Sequence, residues 1–180
     1  MRVGYIKLGG DYALIQVYTG NGKGKTTAAL GLAVRAGGAG LKVYIGQFVK
    51  GKNYSELNAL KKIKNIKIEQ FGRGCFIKRE PNKKDIELAR IGLERARKII
   101  SIGIYDMVIL DEINVALRLK LLKLEDVISL IKNTPQKTEL VLTGRWAPPE
   151  ILKIADLVSE IREVKHYYKK GVVARKGIEY

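Results

Sequence analysis

The stretch Thr19-Gly20-Asn21-Gly22-Lys23-Gly24-Lys25-Thr26-Thr27 constrains this chain more than any other. The apolar run Ala13-Leu14-Ile15-Gln16-Val17-Tyr18 leads into it, and a helix-like run from Ala28 to Ala36 leads out. Strand, glycine loop, Lys-Thr and helix is the order of a P-loop. Glycines let backbone N–H groups turn inward around phosphate oxygens, and the helix N-terminus adds partial positive charge. Lys25 supplies a mobile ammonium, and the Thr26 hydroxyl is placed to ligate Mg²⁺. The usual spacing requires glycine at position 19, where this chain has Thr19. The loop therefore begins at Gly20, about one residue tighter than usual, with Gly22 and Lys23 inside it.

A second signature follows downstream. In Tyr105-Asp106-Met107-Val108-Ile109-Leu110-Asp111-Glu112 an apolar run ends in acids. That pattern predicts a buried strand whose tip holds the Mg²⁺ of a P-loop nucleotide. It also fits a helix start, where Asp and Glu are favoured. Asp111-Glu112 equally suits a hydrolase that activates water, so the pair does not choose a reaction.

The remaining pattern is that of an α/β chain. Further strands are expected at Tyr12–Tyr18, Leu41–Phe48, Ile66–Gln70, Glu139–Thr143 and Asp156–Ile161, with a short extra one at Tyr5–Leu8. Helices are expected after the P-loop, with Leu30, Ala33 and Val34 on one side, and from Glu56 to Ile63 behind a Ser55 N-cap. Others run over Lys83–Ser101, Asn114–Leu119, Leu124–Lys132 and Pro149–Ala155. Ile86, Ala89, Leu93, Ala96 and Ile100 form a core stripe at helical spacing. The expected fold class is α/β: a P-loop NTPase-like (RecA-like) single domain over residues 1–180, with a mainly parallel sheet of about six strands and helices on both faces.

Several cations stand at sites of interest. Lys50 follows the second strand, at the sheet edge where ligands sit in open α/β folds. Arg145 follows the fifth strand and suits a phosphate, a carboxylate or a loop contact. Arg35, on the first helix, is either a surface cation or a second phosphate contact. The loop from Phe71 to Asn82 carries Cys75, Phe76 and Ile77, which either cover a flat apolar ligand or pack upon themselves. The one histidine, His166, lacks the partner spacing of a metal site or triad.

The totals exclude some classes. No apolar run approaches the roughly 20 residues of a membrane span, and no leader pattern opens the sequence. A single cysteine, Cys75, forms no internal disulfide, which points to the cytoplasm. Thirty-four basic against 18 acidic residues give a charge of +16. That charge suits anionic partners, or simply a lysine-rich surface. Nucleic acid is not expected, because no basic stripe is interleaved with aromatics.

Together these stretches resemble the P-loop ATP:corrinoid adenosyltransferases, the cob(I)yrinic acid a,c-diamide adenosyltransferase family. The resemblance rests on Thr19 to Gly31, Gln47-Phe48-Val49-Lys50-Gly51, Leu110-Asp111-Glu112, Thr143-Gly144-Arg145 and Ala155-Asp156-Leu157-Val158-Ser159-Glu160. The tail adds Val164-Lys165-His166, Gly171, Ala174 and Gly177-Ile178-Glu179-Tyr180. It implies that ATP is a co-substrate and a corrinoid the substrate. A Co(I) corrinoid attacks the 5′ carbon of ATP, and triphosphate leaves. It implies a loop of Gly20, Asn21, Gly22, Lys23, Gly24, Lys25, Thr26 and Thr27 around the phosphates, with the nucleotide reversed relative to common P-loop enzymes. Thr26 and Glu112 would serve Mg²⁺, with Mn²⁺ as an alternative. Asp111 would stand behind them, and Arg35 would meet the phosphates. A homodimer is implied as well. An acidic flavoprotein reductant is a further expectation, drawn from the basic surface.

Two departures stand out. Better-known bacterial members carry a longer arm before the P-loop, whereas about a dozen residues precede the strand that leads into it in this chain. Those members also have Phe-Thr-Trp where Cys75-Phe76-Ile77 follows Gly72-Arg73-Gly74, which leaves Phe76 as the aromatic candidate for the corrin. The rival readings are another P-loop NTPase or kinase, which would release ADP or AMP, and a RecA-like nucleic-acid-binding ATPase.

Overall fold

The computed structural model describes residues 13–52, 54–74 and 80–180. Strands and helices alternate: β1 (Ile15–Thr19), α1 (Lys25–Gly38), β2 (Val43–Phe48), α2 (Ser55–Leu60), β3 (Ile66–Phe71), α3 (Lys83–Ile102), β4 (Met107–Asp111), α4 (Ile113–Arg118), α5 (Leu124–Lys132), β5 (Glu139–Thr143), α6 (Pro149–Ile154) and β6 (Leu157–Glu160). The strands form one sheet in the order β3-β2-β4-β5-β1-β6, and every pairing is parallel. The expected Tyr5–Leu8 strand, Phe76 and its neighbours Cys75 and Ile77 lie outside the described residues.

The middle of the sheet is dry. Every residue of β2 and of β4 is buried, as near-continuous apolar runs require when helices cover both faces. On one face Ala29, Ala33 and Ala36 of α1 pack against Ile45, Ile109 and Val141. On the other, Ala89, Leu93 and Ala96 of α3 meet Tyr44, Phe48, Val108 and Leu110. Small residues bring both helices close. A Cβ at Gly92 would lie 2.7 Å from the Phe71 ring and 2.9 Å from that of Phe48. α3 starts on a full capping box: the Asn82 side chain accepts from the Asp85 amide, and the Asp85 carboxylate accepts from the Asn82 amide.

Two expectations change and a third is refined. Val34 is exposed, and Ala29, Ala33 and Ala36 form the buried stripe of α1; the sheet contact selects the smallest side chains. Ser55 is the first residue of α2, not its cap. Tyr54 holds the cap position, and the Ser55 hydroxyl donates to the Tyr180 carbonyl at 2.9 Å. α2 also ends at Leu60, because beyond Lys61 the amides bond three residues back (Lys62 to Ala59, Ile63 to Leu60).

One polar cluster pins β3 to α3. The Glu69 carboxylate accepts from Tyr44 at 2.7 Å and from Arg95 at 2.9 and 3.2 Å. Those contacts, led by the Arg95 hydrogen bonds, pull its pKa down to about 2 despite partial burial. Among the described residues no helix is long and apolar enough to cross a membrane.

Candidate functional site

In a parallel sheet all strand C-termini reach one edge, so β1, β2, β4 and β5 deliver Thr19, Phe48, Asp111 and Thr143 together. Thr19 stays in the strand, paired in register with Glu160, and the turn starts at Gly20, φ 93°. The loop is therefore as tight as the missing glycine predicts. Its glycines also serve packing, which the sequence did not reveal. A Cβ at Gly20 would stand 2.5 Å from the Ile161 carbonyl oxygen. One at Gly22 would stand 2.8 Å from the Arg162 backbone. The Gly22 amide donates to that Ile161 carbonyl at 2.7 Å.

α1 begins at Lys25 behind Gly24, φ 124°, with no side-chain cap and no acid in its first turn. Its leading amides and dipole are left for an anion. The buried Lys25 ammonium donates to the Gly20 and Gly22 carbonyls, both at 2.7 Å. Burial lowers its pKa, and Glu112 works against that shift. Lys23 turns elsewhere. Its ammonium bonds Glu179 at 2.8 Å and the Tyr167 hydroxyl at 2.7 Å, and Tyr167 also donates to Glu179. The tail is thereby tied to the loop.

Asp111 is fully buried and saturated. Its Oδ1 accepts from Thr26 at 3.0 Å and from Thr143 at 2.7 Å, and its Oδ2 from Gln47 at 3.2 Å and from Lys50 at 2.7 Å. Burial alone would raise its pKa, but the Lys50 charge and the donated bonds outweigh it and hold the carboxylate below its ordinary range. Burial likewise opposes the Lys50 charge, and Asp111 reverses the effect, holding that ammonium above its ordinary range. Gln47 is itself held by Gln70 at 3.0 Å.

Glu112 differs. It takes the left-handed conformation at φ 62° and heads α4, with its amide donating to the Thr143 hydroxyl at 3.0 Å. Among the described residues its carboxylate has no hydrogen-bond partner. Burial, then the neighbouring Asp111 charge, pushes its pKa up. Gly144 makes room: a Cβ there would lie 3.2 Å from Glu112 Oε2.

These donors fit a hard cation. Thr26 and Glu112 offer oxygen, Asp111 braces Thr26, and oxygen sets suit Mg²⁺ or Mn²⁺. No group of three His, Cys, Asp or Glu side chains gathers among the described residues. An ion would complete its shell with phosphate and water, as Mg²⁺ does at nucleotide sites.

A cavity of about 730 Å³ opens beside them, ample for a nucleotide. Gly22, Lys23, Gly24, Lys25, Thr26 and Thr27 form one wall, joined by Lys50, Glu112 and Arg145. Leu30, Gly31 and Val34 of α1, residues of α2, and His166, Ile178 and Tyr180 of the tail close the rest. Gly20 and Asn21 lie in the loop behind this lining. Arg35 is exposed in the last turn of α1, ten residues beyond Lys25. That is about 15 Å along the helix, one step past the pocket's rim at Gly31 and Val34. The roles of Gln47, Thr143 and the tail were not assigned from sequence. Polar residues at the tips of apolar strands were the available signal.

The family model described as ATP:corrinoid adenosyltransferase BtuR/CobO/CobP matches residues 11–180. The corrinoid adenosyltransferase of Escherichia coli strain K12 is 36% identical over 170 residues, covering 94% of this chain and 87% of that one. Corrinoid adenosyltransferase CobA of Salmonella typhimurium strain LT2 has the same identity and coverage. The corrinoid adenosyltransferase of Pseudomonas aeruginosa is 34% identical over 172 residues, 94% of this chain and 85% of the relative.

Proposed function

This chain belongs to the ATP:corrinoid adenosyltransferase family, and we propose that it transfers the 5′-deoxyadenosyl group of ATP to a Co(I) corrinoid. The cobalt electron pair attacks the 5′ carbon and becomes the cobalt–carbon bond, the bond from that carbon to the triphosphate oxygen breaks, and triphosphate leaves with the electrons of that broken bond. The product is an adenosylcorrinoid of cobalamin biosynthesis or salvage.

The observation that carries this reading is the convergence of Lys25, Thr26 and Glu112 on one cavity wall beside uncapped helix amides. Because cobalt is the nucleophile, the protein needs no base. Its task is to position the substrates and to neutralise charge on the leaving group. The loop amides left free beside that of Gly22, the first amides of α1 and the Lys25 ammonium are the groups that would meet the triphosphate. Lys25 leaves the carbonyls of Gly20 and Gly22 to do so. Lys23 and Arg145 add positive charge at the mouth, and Lys50 adds it from the inner wall. Thr26 and Glu112 hold Mg²⁺, or Mn²⁺, which supplies further charge neutralisation when bound. Phe76 is the candidate contact to the corrin.

We place the enzyme in the cytoplasm as a homodimer that receives electrons from an acidic flavoprotein. The charge of +16 supports that partner. High salt should then slow turnover coupled to the flavoprotein and spare chemically reduced substrate. Equal slowing of both would remove the partner.

The deciding assay is anaerobic: protein, ATP, Mg²⁺ and chemically reduced cobalamin, with loss of the Co(I) absorbance followed in time. A light-sensitive adenosylated corrinoid and intact triphosphate are expected. Cleavage of ATP between phosphates with no such corrinoid would overturn the reading.

A further inference from the structure

Lys50 stands where the loop hydroxyl and the strand-tip carboxylate meet. Its ammonium donates to Asp111 Oδ2 at 2.7 Å and to Thr26 Oγ1 at 3.1 Å. Its side chain is 11% exposed, that of Asp111 0%. A single positive charge therefore already bridges the two residues beside which a divalent ion would sit. A dication at Thr26 in the absence of nucleotide would stand against an ammonium, and like charges at such range repel strongly in a dry site.

The backbone holds Lys50 there at a cost. Val49, just before it, has φ 61°, a conformation that a β-branched residue adopts only when its surroundings demand it. Just after it, Gly51 passes so near the next strand's exit that a Cβ would lie 2.2 Å from the Gly72 carbonyl oxygen. A Cβ at Gly72 would meet the Lys50 amide nitrogen at 2.5 Å. The Gly51 amide donates to Gly74 at 3.0 Å and the Val49 amide to Phe71 at 3.3 Å. A lysine kept only to neutralise Asp111 could be sealed inside. Lys50 instead lines the cavity with Lys25, Thr26 and Glu112, within reach of an incoming anion.

We propose that Lys50 is an internal counter-cation that holds the divalent metal off the free protein and releases Thr26, with Asp111 still behind it, to that metal when the triphosphate arrives and takes the ammonium. This rests on the reading of the cavity as a metal–nucleotide site. Metal and triphosphate would then bind as a pair, because each removes the obstacle to the other.

The test uses the full chain and no corrinoid. Mn²⁺ binding is titrated by electron paramagnetic resonance with and without inorganic triphosphate, for the wild type and for Lys50→Met, whose folding is checked by circular dichroism. Mn²⁺ alone should bind Lys50→Met about tenfold or more tightly than the wild type, and the gain on adding triphosphate should shrink by a similar factor. Lys50→Arg, which keeps the charge, should resemble the wild type. Equal Mn²⁺ affinities of wild type and Lys50→Met without triphosphate would overturn the proposal. Should Lys50→Met fail to fold, the wild type decides: a Mn²⁺ affinity indifferent to triphosphate overturns it. No step involves adenosyl transfer, so a failure of that chemistry leaves this result standing.

Discussion

Lys50 Nζ lies 2.7 Å from Asp111 Oδ2, and the pair closes the gap between the tips of β2 and β4. Neither strand shows its partner in sequence, since Lys50 and Asp111 are far apart along the chain. Parallel pairing sets Gln47 opposite Asp111, and the strained turn at Val49 brings the next lysine back over it. Asp111→Ala should leave a buried ammonium without its carboxylate and should cost about 3–5 kcal/mol in urea denaturation. A loss below about 1 kcal/mol would mean that the pair is already open to water.

Lys25 bridges two loop carbonyls, and on the proposed reading it exchanges them for phosphate. Lys25→Ala removes a charged donor aimed at the leaving group, so kcat should fall by about 100-fold or more. Stability should fall as well, by about 1–3 kcal/mol, because the lost bond leaves the buried Gly22 carbonyl without its donor. Single-turnover decay of the Co(I) absorbance with saturating ATP separates this effect from weaker binding.

Glu112 predicts opposite effects on activity and stability. Its pKa is raised above 4.5 by burial and by Asp111, and only its charged form serves a metal. The acid limb of kcat/KM should therefore fall as pH drops through that raised value. Glu112→Gln should lose the limb and most of the activity. In the unliganded protein the sign reverses. The charged form is disfavoured on folding, so Glu112→Gln should be the more stable protein at neutral pH, and its advantage should vanish below pH 4.5. A pH series of urea midpoints without nucleotide checks this.

The Glu69 cluster gives a pH signature far from the site. Its folded pKa is lowered from 4.5 to about 2, chiefly by Arg95. Its contribution to stability is therefore complete above pH 4.5 and is lost as pH falls toward 2. The stability difference between wild type and Glu69→Gln should be constant at neutral pH and shrink across that window. A difference that persists unchanged at pH 2 would show that the amide breaks packing and not charge.

Gly22 tests the loop's packing. An alanine methyl there would approach the Arg162 backbone to 2.8 Å, and backbone yields less easily than a side chain. Gly22→Ala should lower stability by about 1–3 kcal/mol and raise the KM for ATP more than it lowers kcat, seen in steady-state kinetics against ATP concentration.

Much of the architecture was legible because its signals are local. The Leu124–Lys132 helix and the Glu139–Thr143 strand fall where periodicity predicts them. The tight loop could be expected from Thr19, since a threonine suits a strand and resists the left-handed turn that Gly20 takes. The family, too, could be read from motif order. Other features depended on distant neighbours. Leu30, Ala33 and Val34 share a side of α1, but Val34 is exposed, and Ala29, Ala33 and Ala36 are the residues buried against the sheet. Ser55 had the chemistry of a cap, yet its hydroxyl serves the last residue of the chain. Lys23 lines the cavity, and its bond to Glu179 in the tail had no local signal.

Sequence alone determined the alternation of strand and helix, the start of the loop and the residue types gathered in it, because backbone propensity and residue spacing act over a few positions. Only tertiary structure decided which carboxylate is saturated and which stands ready. Asp111 and Glu112 are neighbours of the same chemical type, but the left-handed turn at Glu112 sends one side chain among four donors and the other to the cavity wall. That partition depends on Thr26, Gln47, Lys50 and Thr143 arriving from separate elements at one sheet edge, a matter of strand order that no local pattern encodes.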